Sequence, residues 1–262
     1  MGELLFIGLG LGNETDLSRR TVTELRGAGA LFAEEYTSAW TTGSLERLSA
    51  ELGRTIVKLS RSELERETSI LAALEEHRTV ALVVPGDPFV ATTHVALRVT
   101  LEGRGHTWRY LPGTTVLTAV PSLLGLQHYR FGRTVSLPFD EAGYRPRSPL
   151  EAIAANRGAG LHTRVLLDLA PDAGRFLTAD RGLRMLVERD DAAPRVFSPG
   201  LEVGVVARVG RPDAEAWWGA HEALERRDFG PPLHSIVVPA PELHFVESSA
   251  VARWKIEQKA AP

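Results

Sequence analysis

Two glycine-containing loops carry the residues of this sequence that could take part in ligand chemistry. Residues 8–12 read Gly-Leu-Gly-Leu-Gly and end the apolar run 4–8, while residues 85–88 read Pro-Gly-Asp-Pro and follow the apolar run 80–84. Glycine lets a backbone approach a ligand closely and adopt a positive φ, and ligands of open α/β sheets bind outside the carboxyl ends of the strands. Both loops are therefore candidate binding segments, and Asp87 supplies a carboxylate to the second.

Each loop also has a purely structural interpretation. The glycines of residues 8–12 can form a tight turn between a strand and a helix, and their spacing differs from the G-x-G-x-x-G fingerprint of dinucleotide-binding proteins. Asp87 can cap the helix that follows it, a position in which aspartate is common. The residues alone leave these alternatives open.

Strand-like and helix-like segments alternate along the whole chain and must position these loops. Strands are predicted at residues 4–8, 30–33, 55–59, 80–84, 108–111, 134–137, 164–169, 203–209 and 236–238. Helices are predicted at residues 18–26, 45–52, 92–102, 116–126, 179–188, 214–226 and 244–258, and two more at the helix-start patterns of Ser62 with Glu65 and of Ser148-Pro149 with Glu151. The alternation predicts an α/β fold with mostly parallel sheets and helices on both faces.

The proline- and glycine-containing stretch at residues 111–115 is the predicted hinge of the molecule. The strand–helix alternation continues on both sides of it, with different turns in the two halves. We therefore predict two α/β domains, residues 1–111 and residues 112–262.

The composition is that of a globular protein with an ordinary core. Of the 262 residues, 44% are hydrophobic and 24% are charged, and the formal net charge is -3. This balance argues against a general electrostatic grip on nucleic acid, which needs a basic surface. No apolar stretch approaches the ~20 residues of a membrane span, and the first residues lack the pattern of a secretion signal. We therefore predict a cytoplasmic protein that binds neither nucleic acid nor a membrane.

Other forms of catalysis find no support in the residues. The chain has no cysteine, which excludes disulfides and thiolate nucleophiles, and none of its eight histidines forms an H-E-x-x-H pair. No G-x-S-x-G elbow follows a strand. We therefore predict no metal site and no serine hydrolase. The pair Trp217-Trp218, on the helix predicted at residues 214–226, indicates a core or subunit contact.

The second loop belongs to a longer match. Residues 83–94, Val-Val-Pro-Gly-Asp-Pro-Phe-Val-Ala-Thr-Thr-His, resemble the Gly-Asp-Pro loop of the tetrapyrrole methylase superfamily, and in particular that of its diphthine synthase family. Further segments match the same family in its order and approximate spacing: residues 6–11, 33–38, 129–134, 160–168, 207–210 and 232–235. The resemblance therefore covers nearly the whole chain.

The resemblance implies a two-domain tetrapyrrole methylase-like fold with S-adenosyl-L-methionine in the interdomain cleft, usually in a homodimer. It implies an enzyme that trimethylates the amino group of a 3-amino-3-carboxypropyl-histidine on translation elongation factor 2, its protein partner. The residues carried over as cofactor contacts are Leu11, Asp87, Val90, Thr115, Val116, Leu167, Val209 and His234.

The implied reaction assigns no catalytic residue, because methyl transfer from a sulfonium needs alignment more than acid–base chemistry. Tyr36, with Glu34 and Glu35 beside it, is predicted either to stabilise the trimethylammonium product by cation–π and charge attraction or to line a domain or dimer contact. The sequence departs from the family at Gly12, where Tyr is frequent, and at residues 113–115, where Gly-Thr-Thr replaces Pro-Ser-Ile. The alternatives are a corrin or sirohaem precursor C-methyltransferase and an inactive module that binds S-adenosylmethionine.

Overall fold

The computed structural model describes residues 1–141, 144–191 and 195–256, which form two compact units. The first unit comprises Met1–Val116 with Ala170–Gly174 and Gly210–Pro212, and the second comprises the described parts of Leu117–Leu169, of Arg175–Val209 and of the chain from Asp213 onward. The predicted domain boundary between residues 111 and 112 lies close to the end of the first of these stretches. Within the described part of the chain, no helix combines the length and the apolar character that a membrane span requires.

The first unit is built on a five-stranded parallel sheet. Its strands are β1 (Glu3–Gly8), β2 (Ala30–Glu34), β3 (Val57–Leu59), β4 (Thr79–Val84) and β5 (Thr107–Leu111), in the order β3-β2-β4-β1-β5. The helices between them are α1 (Arg19–Gly27), α2 (Ser44–Leu52), α3 (Arg61–Arg66), α4 (Thr68–Glu76) and α5 (His94–Gly103). All four strand pairs are parallel, as the alternation of strands and helices predicts.

Helices cover both faces of this sheet because side chains alternate between the faces along each strand. Leu5 and Ile7 of β1 point to one face and join a core with Leu25 of α1 and Leu48 of α2. Leu4 and Phe6 point to the other face and join a second core with residues of α3, α4 and α5. The central strands β1 and β4 are buried on both faces and therefore read as continuous apolar runs.

The second unit contains a mixed sheet of five strands. Its elements are α6 (Val116–Leu124), β6 (Val135–Leu137), α7 (Ser148–Gly158), β7 (Thr163–Leu167), β8 (Leu169–Ala170), β9 (Arg175–Phe176), α8 (Ala179–Arg189), β10 (Glu202–Ala207), β11 (Glu215–Ala220), α9 (His221–Leu224), β12 (His234–Val238) and α10 (Phe245–Val251). The sheet order is β11-β10-β12-β7-β6, and only β6 and β7 pair in parallel. The strands β8 and β9 form a separate two-stranded sheet.

The helix predicted at residues 214–226 is wrong. Glu215–Ala220 is strand β11, antiparallel to β10, and only the short helix α9 follows it. Trp218 is fully buried over Gly204 of β10 and donates its indole N–H to Glu202 at 3.0 Å. Aromatic residues favour strands where a pleated surface packs against them, and this pairing is a tertiary contact that local pattern does not reveal. The buried Trp218 agrees with the predicted core role.

The predicted start of the helix after β3 is also displaced. Ser60 and Glu63, and not Ser62 and Glu65, form the capping box at the start of α3. The serine hydroxyl accepts from the amide of Glu63 at 3.3 Å, and the Glu63 carboxylate accepts from the amide of Ser60 at 2.8 Å. Glu67, at a positive φ of 60°, then separates α3 from α4 where a single helix is predicted.

The remaining boundary differences are smaller. Ser148 and Pro149 occupy the first two positions of α7, so that Arg147 and not Ser148 precedes the helix. The helix predicted at residues 244–258 ends as α10 at Val251, followed by a 3-10 turn at Ala252–Trp254, and Gln258 lies outside the described residues.

A fully buried carboxylate joins two of the segments that match the family. Glu247, in the first turn of α10, accepts hydrogen bonds from the amides of Gln127 and His244 at 2.9 and 3.0 Å. It also accepts from the guanidinium of Arg130 and from Nε2 of His162, the latter at 3.1 Å. Glu247 therefore joins Arg130 and His162, one residue from each of the matched segments 129–134 and 160–168.

The His162 tautomer follows from its second contact. Its Nδ1 accepts from the amide of Ala240 at 2.9 Å, so that the ring proton lies on Nε2 and points to Glu247. Burial lowers the pKa of His162 and keeps the ring neutral near pH 7.

The substitution Glu247→Ala tests the importance of this cluster. We expect it to lower the free energy of unfolding by about 3 kcal/mol, because one guanidinium, one imidazole and two amides lose their shared acceptor. The exposed Glu242 allows the matched control Glu242→Ala, which should stay within about 0.5 kcal/mol of the unchanged protein. Urea unfolding followed by circular dichroism measures both, and equal midpoints would contradict the assignment.

Candidate functional site

Three loops meet at the carboxyl edge of the parallel sheet. They follow β4, β1 and β5, which are adjacent and in register, so that the three strands end side by side. The first two loops pair through their backbones: Gly10 N donates to Gly86 O at 3.1 Å and Gly86 N donates to Gly10 O at 2.8 Å. The two glycine-containing loops that stand out in the sequence are therefore one structural unit.

Two glycines allow the third loop to join this pair. A Cβ atom on Gly113 would lie 2.0 Å from the carbonyl oxygen of Gly86, and a Cβ on Gly8 would lie 2.3 Å from the amide nitrogen of Gly113. Both distances are far below van der Waals contact with backbone atoms that cannot rotate away. Glycine at position 113, a departure from the family pattern, is thus a steric requirement of this chain.

Asp87 ties the three loops together. The residue is 5% exposed, and its carboxylate accepts hydrogen bonds from the amide of Phe89 at 3.0 Å, the amide of Gly113 at 3.3 Å and the phenol of Tyr110. The helix α5 begins later, with Thr93 as its N-cap. The alternative in which Asp87 caps that helix is therefore wrong, and the carboxylate links the β4 loop to β5 and to the loop after it.

The phenol of Tyr110 is a fixed donor in this arrangement. Burial, together with the hydrogen bond to Asp87, raises the pKa of Tyr110, so that its hydroxyl stays protonated in the physiological range. Phe89 packs behind the loop against the rings of Phe6, Tyr110 and Trp108, at centroid distances of 4.9, 5.2 and 6.2 Å. Aromatic packing and the carboxylate therefore hold the loop from two sides.

The eight predicted site residues fall into two groups. Leu11, Asp87, Val90, Thr115 and Val116 lie in the three loops of the first unit or directly after them. In the second unit, Leu167 ends β7, His234 begins β12 and Val209 follows β10. These three lie at one edge of the mixed sheet, because Ser235 pairs with Leu166 and His234 with Ala207.

Similarity to known proteins identifies the family to which this chain belongs. A family model for Tetrapyrrole (Corrin/Porphyrin) Methylases matches residues 3–224. The chain belongs to the tetrapyrrole methylase family. The diphthine synthases of Methanothermobacter thermautotrophicus and Methanocorpusculum labreanum are 38% and 37% identical to it, over 99% and 96% of this chain and 96% and 98% of theirs. A crystal structure of diphthine synthase superposes with a TM-score of 0.86 at 33% identity, covering 97% of this chain and 96% of that chain.

Membership of the tetrapyrrole methylase family makes the chain a methyltransferase with the fold that the sequence predicts. The relatives support diphthine synthase as its activity. They do not favour a corrin or sirohaem precursor methyltransferase or an inactive module.

In this methylase the side-chain nitrogens of His234 are already engaged. Nδ1 accepts from the amide of Ala179 at 3.2 Å, and Nε2 donates to the carbonyl of Pro231 at 3.1 Å. Burial lowers the pKa of His234, so that the ring stays neutral. Any ligand contact at this position would therefore use the backbone or the face of the ring.

Glu34, at the end of β2, has a role that the sequence does not reveal. Its buried carboxylate accepts from the amides of Tyr36 and Thr37 at 2.9 and 3.1 Å and from the Thr37 hydroxyl. Glu35 forms an ion pair with Lys58 at 3.0 Å. The predicted stabilisation of a product cation by these carboxylates therefore does not extend to Glu34, whose oxygens hold the turn after β2.

His94 is the second residue whose role appears only in the fold. Its Nδ1 lies 2.8 Å from the carbonyl oxygen of Pro88, and its Nε2 lies 3.6 Å from Oε1 of Glu34. The ring thus connects the loop after β4 with the turn after β2. The sequence identifies His94 as part of a matched motif. Only the order of the strands in the sheet shows that Glu34 lies beside it.

The substitution Gly113→Ala tests the steric junction of the three loops. Its methyl group collides with the Gly86 carbonyl, and we expect a lower midpoint of urea unfolding, equivalent to ~1–3 kcal/mol. Gly103, at the end of α5, has no atom within 4 Å of its Cβ position and gives the matched control Gly103→Ala. That control should leave the midpoint unchanged or slightly raised. A Gly113→Ala variant as stable as the control would show that the loops are not closely joined.

Proposed function

We propose that this methyltransferase binds S-adenosyl-L-methionine and trimethylates the amino group of the 3-amino-3-carboxypropyl-histidine on translation elongation factor 2. The observation that supports this most is the junction of three loops at the carboxyl edge of the parallel sheet, tied by Asp87. Nearly full-length similarity to proteins named diphthine synthase supports the choice of substrate.

The chemistry of the loops fits this cofactor. S-adenosylmethionine combines a nucleoside, an amino-acid group and a sulfonium, so that backbone amides, carbonyls and apolar side chains can recognise most of it. Gly10 and Gly86 have positive φ values of 74° and 71° and present backbone without side chains. Leu11 lies beside them, with Cδ2 4.0 Å from the Cβ position of Gly86. Asp87 holds these groups in place with its carboxylate.

The proposed contacts include residues of both units. Leu11, Asp87, Val90, Thr115 and Val116 would contribute from the first, and Leu167, Val209 and His234 from the second. The resemblance to the family is the support for the second group, together with their position at one edge of the mixed sheet. We also propose a homodimer and a cytoplasmic location on the same resemblance.

The residues of the site would act by alignment. When bound, S-adenosylmethionine supplies a methyl group on an activated sulfonium leaving group. Correct orientation of a nucleophile can lower the activation free energy by roughly 7–11 kcal/mol. A free α-amino group has a reference pKa of about 7.7–8.0, so that a fraction of the amine is unprotonated near neutral pH. Partial desolvation disfavours the charged form and raises this unprotonated fraction. We therefore propose no dedicated general base.

Mass spectrometry of the protein substrate tests the activity. Precursor elongation factor 2 incubated with the enzyme and S-adenosylmethionine should gain the mass of three CH2 units on the modified histidine, because each methyl group replaces a hydrogen of the ammonium group. Uroporphyrinogen offered in the same experiment should remain unmodified. Methylation of uroporphyrinogen with unchanged elongation factor would contradict the proposal.

Asp87→Asn tests the cofactor site itself. Whichever way the amide turns, its NH2 group faces a backbone N–H, either that of Phe89 or that of Gly113, and the junction loses a hydrogen bond. We expect the affinity for S-adenosylhomocysteine, measured by calorimetry, to fall about tenfold or more, equivalent to about 1.4 kcal/mol. The matched control is Asp191→Asn, at an exposed carboxylate that pairs with Arg147. Equal affinities of the two variants would exclude Asp87 from the site.

A further inference from the structure

The imidazole of His94 is held between two oxygen atoms in the interior of the first unit. Nδ1 lies 2.8 Å from the carbonyl oxygen of Pro88, and Nε2 lies 3.6 Å from Oε1 of Glu34. The side chains of His94 and Glu34 are 1% and 0% exposed. A carbonyl oxygen can only accept, so that Nδ1 must carry a proton and donate it. In a neutral ring, Nε2 then presents a lone pair to the glutamate.

That arrangement is unfavourable unless a further proton is present. A lone pair of nitrogen would face a carboxylate oxygen, and the charge of Glu34 would be buried opposite an acceptor. One proton removes both problems, because it gives either an imidazolium with a carboxylate or an imidazole with a carboxylic acid. A movement of about 0.5 Å then forms a hydrogen bond. Burial raises the pKa of Glu34, which favours retention of this proton at neutral pH.

We propose that Glu34 and His94 share one proton in the folded enzyme and that this shared proton positions the Gly-Asp-Pro loop for cofactor binding. Neither side chain is proposed to touch the cofactor, so both are positioning residues. The inference rests on the proposed function, namely that this loop binds S-adenosylmethionine.

The loop depends on this proton because its two ends have different anchors. Asp87 fixes the loop toward β5 through Tyr110, while His94 fixes Pro88 toward β2 through Glu34. The same Glu34 carboxylate holds the turn after β2 through two amides. Removal of the proton leaves the lone pair of Nε2 facing a charged carboxylate. The repulsion between them weakens the contact through which His94 holds Pro88. The loop is therefore fully positioned while the proton is present and loses this support when rising pH removes it.

Other titratable groups near the pair do not produce the same effect. Tyr36 lies beside it, with its ring centroid 6.5 Å from that of His94, and burial and Glu34 raise the pKa of its phenol. It therefore remains neutral while the pair loses its proton. Two charged residues of α3 also act on Tyr36: Glu65 raises the pKa of its phenol and Arg61 lowers it.

The substitution Glu34→Gln replaces the shared proton by one that does not titrate. The amide oxygen can accept from the amides of Tyr36 and Thr37, as Oε2 of the glutamate does. The NH2 group can donate one hydrogen to Nε2 of His94 and the other to the Thr37 hydroxyl, which contact Oε1. Each contact is kept without a titrating proton, and only the direction of the hydrogen bond with the Thr37 hydroxyl is reversed, because that hydroxyl donates to Glu34. Glu46→Gln is the matched control, since the exposed Glu46 has no role in the site and pairs with Lys58 at 3.0 Å.

Calorimetry with S-adenosylhomocysteine between about pH 6.5 and about pH 9.5 tests the proposal. The affinity of the unchanged enzyme and of Glu46→Gln should fall about tenfold further than that of Glu34→Gln over this range, with all three alike at the lower pH. Titration of the ligand's own amino group affects the three proteins equally and cancels in the comparison. Parallel profiles for the unchanged enzyme and Glu34→Gln would overturn the proposal.

Nitrogen-15 NMR of the His94 ring gives a second test, which needs neither the variant nor the ligand. At neutral pH, Nδ1 should be protonated and Nε2 should show the shift of a protonated or strongly hydrogen-bonded nitrogen, moving to the free lone-pair value at alkaline pH. A free lone-pair value at neutral pH would overturn the proposal. Failure of the unchanged enzyme to bind S-adenosylhomocysteine at any pH would contradict the proposed function, while the NMR result would still decide whether the proton is shared.

Discussion

The contact of the Asp87 carboxylate with Tyr110 and Gly113 determines whether the candidate site exists. A parallel sheet brings the ends of β4, β1 and β5 together, but it does not hold the loops that leave them. A carboxylate buried at that edge needs hydrogen-bond donors, since its desolvation is otherwise unfavourable. One donor, the amide of Phe89, comes from the same loop, and the other two come from β5 and from the loop after it, two strands away from β4 in the sheet. The satisfaction of one buried charge thus fixes the mutual position of the loops.

Steric requirements follow from this contact. Where Asp87 holds the loop after β5 against the other two loops, Gly8 and Gly113 have no room for side chains. Gly10 and Gly86 pair with each other in conformations with positive φ. The composition of the loops is therefore a consequence of their closeness. The tight turns that these glycines form are compatible with the proposed binding role, because a glycine places no side chain between the backbone and a ligand.

The sequence predicts those features that local pattern determines. The apolar run at residues 80–84 indicates a strand buried on both faces, and β4 is one. Strand β11 escapes prediction because Trp217 and Trp218 form a strand only through their pairing with β10. The contacts of Asp87 with Tyr110 and of Glu34 with His94 are also tertiary, so local pattern does not predict them either. The family pattern identifies Asp87, but strand order and register alone show that Tyr110 faces it.

Buried carboxylates serve a common structural purpose in this enzyme. Asp87, Glu34 and Glu247 each accept two backbone N–H groups from loops, together with at least one side-chain donor. The carboxyl group suits this purpose because each of its oxygens can accept hydrogen bonds from the backbone. Acidic residues committed in this way are poor candidates for proton transfer to a substrate. Their use as loop organisers agrees with a reaction in which the leaving group is already activated and the protein contributes mainly geometry.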